Sequence, residues 1–315
     1  MTPRRPSSSS PVHAVFIAFL LAMTLGSGCS VRKLAVNKVA DALTGGGSTF
    51  TSDDDPELVR DALPFSLKLM ESLLVETPEH PGLLLTLGSG FTQYGFAFVQ
   101  QDAERIEDED LDRARELQVR ARRLYLRGRN YALRGLEVAH PGFTNALRAD
   151  PQSAVQITRK GDVPLLYWSA VGWAGAIAQA KDDPSLVADL PQVEALIERA
   201  LELDESWNSG TLHGLMITFA MSRTTGTGDP VELATHHYER AIQLGGGSIA
   251  GHYVAYAESV CVPREDRAQF EALLQKALAI NPDANPASRL ENLIHQRRAR
   301  WLLHRIDKLF LPSIP

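Results

Sequence analysis

From Pro56 onward, apolar residues recur at spacings of three and four, and no stretch alternates at period two. That pattern belongs to helices, each with one buried stripe, and not to strands. It predicts helices at about 56–76, 82–101, 108–138, 163–181, 191–204, 207–222, 229–244, 248–260, 264–280 and 286–309. Breaks at Thr77-Pro78, His140-Pro141, Gly161-Asp162, Asp183-Pro184, the 226–230 run, Gly245-Gly246-Gly247 and Asn281-Pro282 separate them. Asp55-Pro56-Glu57 supplies a cap, a first-turn proline and an early acid. The fold class expected is all-α.

Three of these helices share a finer pattern. The run Phe270–Pro282 resembles the second helix of a tetratricopeptide repeat, with apolar residues at spacing four then three, a small Ala277 and a proline five residues on. Val193/Ile197/Ala200 and Ala234/Tyr238/Ala241 repeat the spacing, and Ser66/Met70/Leu73/Pro78 fits it loosely. Ala200 to Ala241 is 41 residues and Ala241 to Ala277 is 36, against about 34 in the ideal repeat. The architecture expected is therefore antiparallel helical hairpins of degenerate tetratricopeptide-like repeats. A charged segment interrupts them: residues 102–129 carry eight acids toward one end and eight arginines toward the other. A solvated helix face accounts for it, oriented as the helix dipole favours.

Two helices lack a polar face. Gly82–Gln101 carries no charge, yet Thr86, Ser89, Thr92, Gln93 and three glycines interrupt it, so it reads as buried or cavity-lining and not as membrane-spanning. Val163–Ala180 sets Tyr167, Trp168 and Trp173 among small residues that let neighbouring backbones close in.

The N-terminus has a different character. Arg4 and Arg5 precede the apolar run Pro11–Leu25, which ends at Gly26-Ser27-Gly28-Cys29. A basic head, a short apolar run and a small-residue exit describe a secretory signal over 1–28. The cysteine after it resembles a bacterial lipobox, although Gly26 stands where leucine is usual. Acylation of Cys29 would anchor the chain to a membrane, since each buried methylene contributes about 0.8 kcal/mol. Ser30 in place of Asp favours the outer membrane by the resemblance to lipoprotein sorting. Residues 29–55, with Gly45-Gly46-Gly47 and Asp53-Asp54-Asp55, read as a flexible tether before the folded body at 56–310. The expected compartment is the periplasm.

Composition narrows the function. The 315 residues carry a net charge of −6 with no basic stripe, which excludes a nucleic-acid partner. Two cysteines are too few for a disulfide scaffold or a four-cysteine zinc site, and Cys261 reads as a core thiol. Nine scattered histidines form no His-Glu-x-x-His motif, and His236-His237 diverge on their helix. No catalytic constellation, metal or cofactor is expected. A binding cleft suits the material better, with apolar walls and a few placed polar groups. The wall candidates are Phe91, Tyr94, Trp168, Trp173 and Tyr253, with Gln93, His213 and Arg264 as polar contacts. For each aromatic the competing role is plain core packing. For His213 it is a satisfied core histidine, and for Arg264 an ion pair with Glu258 or Asp266.

Several segments together resemble the TatT component family of tripartite ATP-independent periplasmic (TRAP) transporters. They are Tyr167-Trp168-Ser169-Ala170 continuing through Gly172-Trp173-Ala174, then Gly210-Thr211-Leu212-His213-Gly214. Tyr256-Ala257-Glu258 leading to 262–267 and Phe270 follows, and Arg297-Arg298-Ala299-Arg300-Trp301-Leu302-Leu303 comes last. The likeness covers about residues 55–310. It implies a periplasmic lipoprotein of tetratricopeptide-like helices that associates with the TRAP substrate-binding protein. It also implies a homotrimer with an internal cleft or pore, and a small ligand such as a hydrophobic organic acid. The alternative is a helical-repeat scaffold lipoprotein for envelope assembly, whose open concave face grips a protein.

Overall fold

The computed structural model describes residues 33–45, 48–180, 182–222 and 228–310, and Cys29 and the signal segment lie outside them. Every regular element among the described residues is helical. The chain opens with α1 over 33–45. It continues through α2 (Ser48–Thr51), α3 (Pro56–Glu76), α4 (Pro81–Tyr94), α5 (Gln101–Ile106), α6 (Leu111–Ala139), α7 (Phe143–Ala149) and α8 (Pro151–Val155). Then come α9 (Val163–Ala178), α10 (Pro184–Val187), α11 (Leu190–Asp204), α12 (Thr211–Ser222) and α13 (Pro230–Gly245). The last are α14 (Ala250–Tyr256), α15 (Arg267–Ala279), α16 (Arg289–His304) and α17 (Ile306–Leu309).

The starts are fixed by side chains. Asp55 accepts from the amides of Glu57 and Leu58, Asp110 from Arg113, Asp229 from Val231 and Asp266 from Gln269. Each satisfies an amide that the first turn leaves without a helical partner. The cap at Asp266 also moves one boundary: the expected helix from 264 begins at Arg267.

Two expected helices contain a widened turn. A π segment, Gly95–Gln100, joins α4 to α5, and another, Ala257–Cys261, extends α14. An extra residue in a turn re-aims the side chains beyond it. Both segments lie where the C-terminal helix crosses the structure.

The central layer is α4, α6 and α9, with α11 packed on α9. Backbones approach closely there, as the small residues predicted. A Cβ on Gly128 would sit 2.8 Å from the Gly88 carbonyl oxygen. One on Gly172 would sit 2.9 Å from the Arg129 nitrogen and 3.0 Å from the Tyr125 oxygen. Leu136, Phe143, Leu166, Leu196, Ile197 and Leu212 fill the core beside this layer and are all fully buried. Further along, α12 packs on α13 and α14 on α15, and Phe270, Leu274 and Ala277 are buried between them. Ala200, Ala241 and Ala277, the residues used to align the repeats, have no exposed surface.

Then α16 returns. It packs on α14 and α15 and also touches α2 and α3 at the other end of the chain. Its Ile294 shares a cluster with Val59, Tyr94, Ala97, Phe98 and Ala176. The helical array is therefore closed on itself.

Two expectations need correction. The tether is helical over 33–45, with Ala40 fully buried beside Leu83 and Leu84 and with Asp41 3.2 Å from His80. Ala, Leu and Lys dominate that stretch and favour helix, whereas the glycine and aspartate runs after it gave the impression of slack. The charged segment 102–129 is likewise more than a solvated face. Asp102 pairs with Arg60 and Arg105, Glu104 with Arg298, Asp108 with Lys308 and Arg127 with Glu71. Burial pushes the Glu71 carboxyl up, but bonds from Lys68, Tyr131 and Arg127 outweigh it and hold the group below its ordinary value. Apart from Asp102–Arg105 within α5, these pairs cross between elements.

The close approach in the central layer has a direct test. Gly128→Ala and Gly172→Ala should each cost about 2 kcal/mol, since backbone must move to admit the methyl. Gly161→Ala, where a Cβ meets nothing within 4 Å, should change stability by less than about 0.5 kcal/mol. Denaturant unfolding reads all three.

Candidate functional site: the charged face of the returning helix

The eight residues expected to line a cleft do not converge. Phe91 packs in the outer cluster of Leu67, Leu74 and Leu87, with Tyr131 6.0 Å away and the Arg127 guanidinium 4.6 Å over its ring. Gln93 is exposed. Tyr94 lies 5.4 Å from Phe98 in the cluster that receives Ile294. Tyr253 is buried near Tyr238, its hydroxyl donating to the Gly247 oxygen at 3.4 Å. Arg264 is exposed on the turn before α15; of the two carboxylates expected for it, Glu258 bonds Arg298 and Asp266 caps α15. Trp168 and Trp173 part company, because five residues of helix turn side chains about 140° apart. Trp173 donates to Asp189 at 3.1 Å beneath the Arg129 guanidinium and faces a surface cleft of about 430 Å³.

His213 is a packed histidine. Its Nδ1 lies 2.8 Å from Nδ1 of His237, and its Nε2 lies 3.4 Å from Glu205, which Arg240 also holds. Burial lowers both imidazoles, and His237 falls to about 4. Among the described residues, no three or more histidines, cysteines or acids are arranged to hold a metal ion. Cys261 is buried, and burial pushes its thiol up to about 12, well away from reactive thiolate.

The side chains that do come together were not singled out in the sequence, and α16 carries them. Asn292 accepts from the Ala250 amide at 2.8 Å and donates to the Ser248 oxygen at 3.0 Å, which ties α16 to the start of α14. Gln296 donates to the Ala277 and Ile280 oxygens at 3.1 and 2.7 Å, which ties it to the end of α15. Arg297 donates to the Ala97 oxygen at 2.8 Å in the first π segment. With those faces committed, Glu291, His295 and Arg298, at spacings of four and three, share the face turned inward.

At the deep end of that face Arg298 is almost fully buried. It bonds both Glu258 oxygens, at 2.6 and 2.7 Å, and Glu104 at 2.5 Å, with the Phe96 and Trp301 rings 5.9 and 5.6 Å away. Glu258 belongs to the second π segment and Phe96 to the first. One turn on, the His295 ring lies 5.6 Å from Phe96, and a Cβ on Gly251 would come within 2.9 Å of its Nε2. Burial lowers His295 to about 3 and nearby His252 to about 4, so both stay neutral.

At the other end is Glu291. It is surrounded by protein, and burial alone raises its carboxyl to about 7. Yet Glu291 and His295 are only half-buried by accessible surface. Burial first, then the Glu291 charge, push the Tyr167 phenol up. The Tyr167 ring packs 4.8 Å from Trp168 and 5.0 Å from Trp207, both half-buried. Of the expected wall residues, Trp168 alone joins this group.

These groups oppose one another in pH. The buried histidines are more acidic folded than unfolded, so their contribution is complete above about pH 6.5 and fades as pH falls toward 4. Glu291 has its pKa raised in the folded state, so its contribution is complete below about pH 4.5 and fades as pH rises through 7. The two trends overlap and oppose one another between about pH 4.5 and 6.5, so thermal unfolding of single variants is needed to separate an acid decline due to the histidines from an alkaline one due to Glu291. Glu291→Gln should flatten the alkaline decline, worth on the order of 3 kcal/mol, and His295→Asn should flatten the acid one. Unchanged profiles in both variants would contradict the placement.

Comparison with known proteins agrees with the earlier resemblance. The family described as TRAP transporter T-component matches residues 52–310. An uncharacterized protein of Treponema pallidum (strain Nichols) is 32% identical over 305 residues, which span 91% of this chain and 94% of that protein. With the match running from the turn before α3 to the last described residue, the chain belongs to the TRAP transporter T-component family.

Proposed function

We propose that this protein is a periplasmic lipoprotein accessory of a TRAP-type transporter, held to the outer membrane through acylated Cys29. It associates with the transporter's substrate-binding protein and takes a small organic ligand against the face of α16 that carries Glu291. Family membership over residues 52–310 supports the transporter setting. What supports the ligand role is a half-buried carboxyl, Glu291, whose pKa burial raises to about 7, together with the Tyr167 ring packed against Trp168. Ligand sites have this character: aromatic walls with few polar groups, one of them perturbed in pKa. A scaffold gripping a protein partner needs an exposed concave face, and here α16 bridges the two ends of the array. Tetratricopeptide-like hairpins suit the role, because stacked helices enclose space without a sheet.

Two measurements test this reading. The tagged protein, isolated from its own envelope, should bring down a TRAP substrate-binding protein, and none should appear with an unrelated lipoprotein as bait. Intact mass of the wild type should exceed that of Cys29→Ala by the acyl chains. Equal processing and mass, allowing for the substitution, would end the lipid-anchor assignment.

A further inference from the structure

The cleft beside Trp173 takes no residue from α16, and its charges are not balanced. Its volume of about 430 Å³ is that of a small-ligand site. The floor is apolar, since Leu133 of α6, Leu147 of α7 and Trp173 of α9 are all buried. Five charged side chains line the walls: Arg129, Arg134 and Arg148 against Glu137 and Asp189. Both acids are engaged. Glu137 accepts from the amides of Thr144 and Gly142, at 2.8 and 2.6 Å, and these bonds hold its carboxyl below its ordinary value. Asp189 accepts from the Trp173 indole at 3.1 Å.

The cations have no such commitments. Arg129, half-buried, lies 4.6 Å over the Trp173 ring, and its Nε and Nη2 share one neutral acceptor, Asn130 Oδ1, at 3.1 and 2.9 Å. Arg134 donates to the Pro78 carbonyl oxygen at 2.5 Å. Arg148, near the end of α7, is exposed and forms no hydrogen bond or ion pair among the described residues. Burial lowers Arg129, Asp189 opposes that, and the like charge of Arg148 lowers it further. A guanidinium bonded only to a neutral amide has donors and charge to spare, and its planar fork matches the paired oxygens of a carboxylate or phosphate. Stacking on Trp173 fixes the plane of that fork in advance, which lowers the entropy lost on binding. An organic cation meets the opposite: three arginines, and two carboxylates already accepting hydrogen bonds.

We propose that the cleft between α6, α7 and α9 binds a small organic oxyanion, a carboxylate or a phosphate ester, held by Arg129 and Arg148 with its body on Leu133 and Leu147. This is a second site. It rests neither on the ligand role of the α16 face nor on the transporter association.

Four probes built on one ring separate the classes: benzoate, phenyl phosphate, benzyl alcohol and benzylamine, titrated calorimetrically into the purified protein at about pH 7, where every arginine is charged. At least one of the two anions should bind about tenfold more tightly than benzyl alcohol, and benzylamine no more tightly than the alcohol. The tighter anion identifies which oxyanion the cleft prefers. Arg148→Gln should weaken that anion about tenfold and leave benzyl alcohol unchanged. Arg129→Gln should do the same, and if it melts early, the exposed Arg148 variant alone decides. Glu291→Gln should leave anion binding as it is. Anions bound no more tightly than the alcohol, preference for benzylamine, anion affinity unmoved by Arg148→Gln, or no binding by any probe would each overturn the proposal. Capture of the substrate-binding protein is read separately: its persistence alongside failed anion binding removes this cleft and leaves the transporter association in place.

Discussion

The return of α16 closes this fold, through Arg297 on Glu57, Arg289 on the Ser52 oxygen and, most deeply buried, the Arg298 guanidinium. Arg298 reaches from the C-terminal helix to Glu104 at the end of α5 and to Glu258 in the second π segment, so it ties together parts of the chain 194 and 40 residues away. The three charges lie largely out of water, where an ion pair is costly unless fully hydrogen-bonded. Here the fork geometry of arginine satisfies both carboxylates, bidentately for Glu258. The Phe96 and Trp301 rings contribute further attraction to the same cation. Stacked hairpins have no intrinsic reason to meet end to end. This contact, with Ile294 inserted among Val59, Tyr94 and Phe98, supplies one.

Closure then determines the chemistry. Because α16 crosses the array with Asn292 and Gln296 fixed to α14 and α15, its third face turns inward, and Glu291 becomes an interior group without a partner. Had the array stayed open, the same residue would be an ordinary acid in the first turn of a helix, where the dipole favours it. The two π segments matter for the same reason. They aim Phe96 and Glu258 at Arg298 and His295, and widened turns recur where side chains must be placed with care.

Much of the architecture was legible in the sequence, and the limits of that legibility follow from locality. Spacings of three and four gave the all-α class, and the small residues of Val163–Ala180 foretold the close approach of neighbouring backbones to α9, seen at Gly172. What spacing cannot convey is a contact between Arg298 and Glu104, because helical periodicity carries no information across 194 residues. Glu291 went unnoticed since a polar residue on a helix reads as solvent-facing until a distant element covers it. The divergence of Trp168 and Trp173 was available from their five-residue separation alone, and the cleft built on both ignored it. Segment 33–45 misled in the opposite sense, its helix obscured by the glycines and aspartates that follow.

Hydrogen exchange on Arg298→Met tests the closure most directly. Two carboxylates would lose their shared partner, which should weaken the closing contacts by about 3 kcal/mol. Amides of α16 and of both π segments should then exchange roughly 100-fold faster, while those of α9 and α11 keep their protection. Protection in α16 indistinguishable from wild type would mean that the array is held shut by something other than this charge cluster.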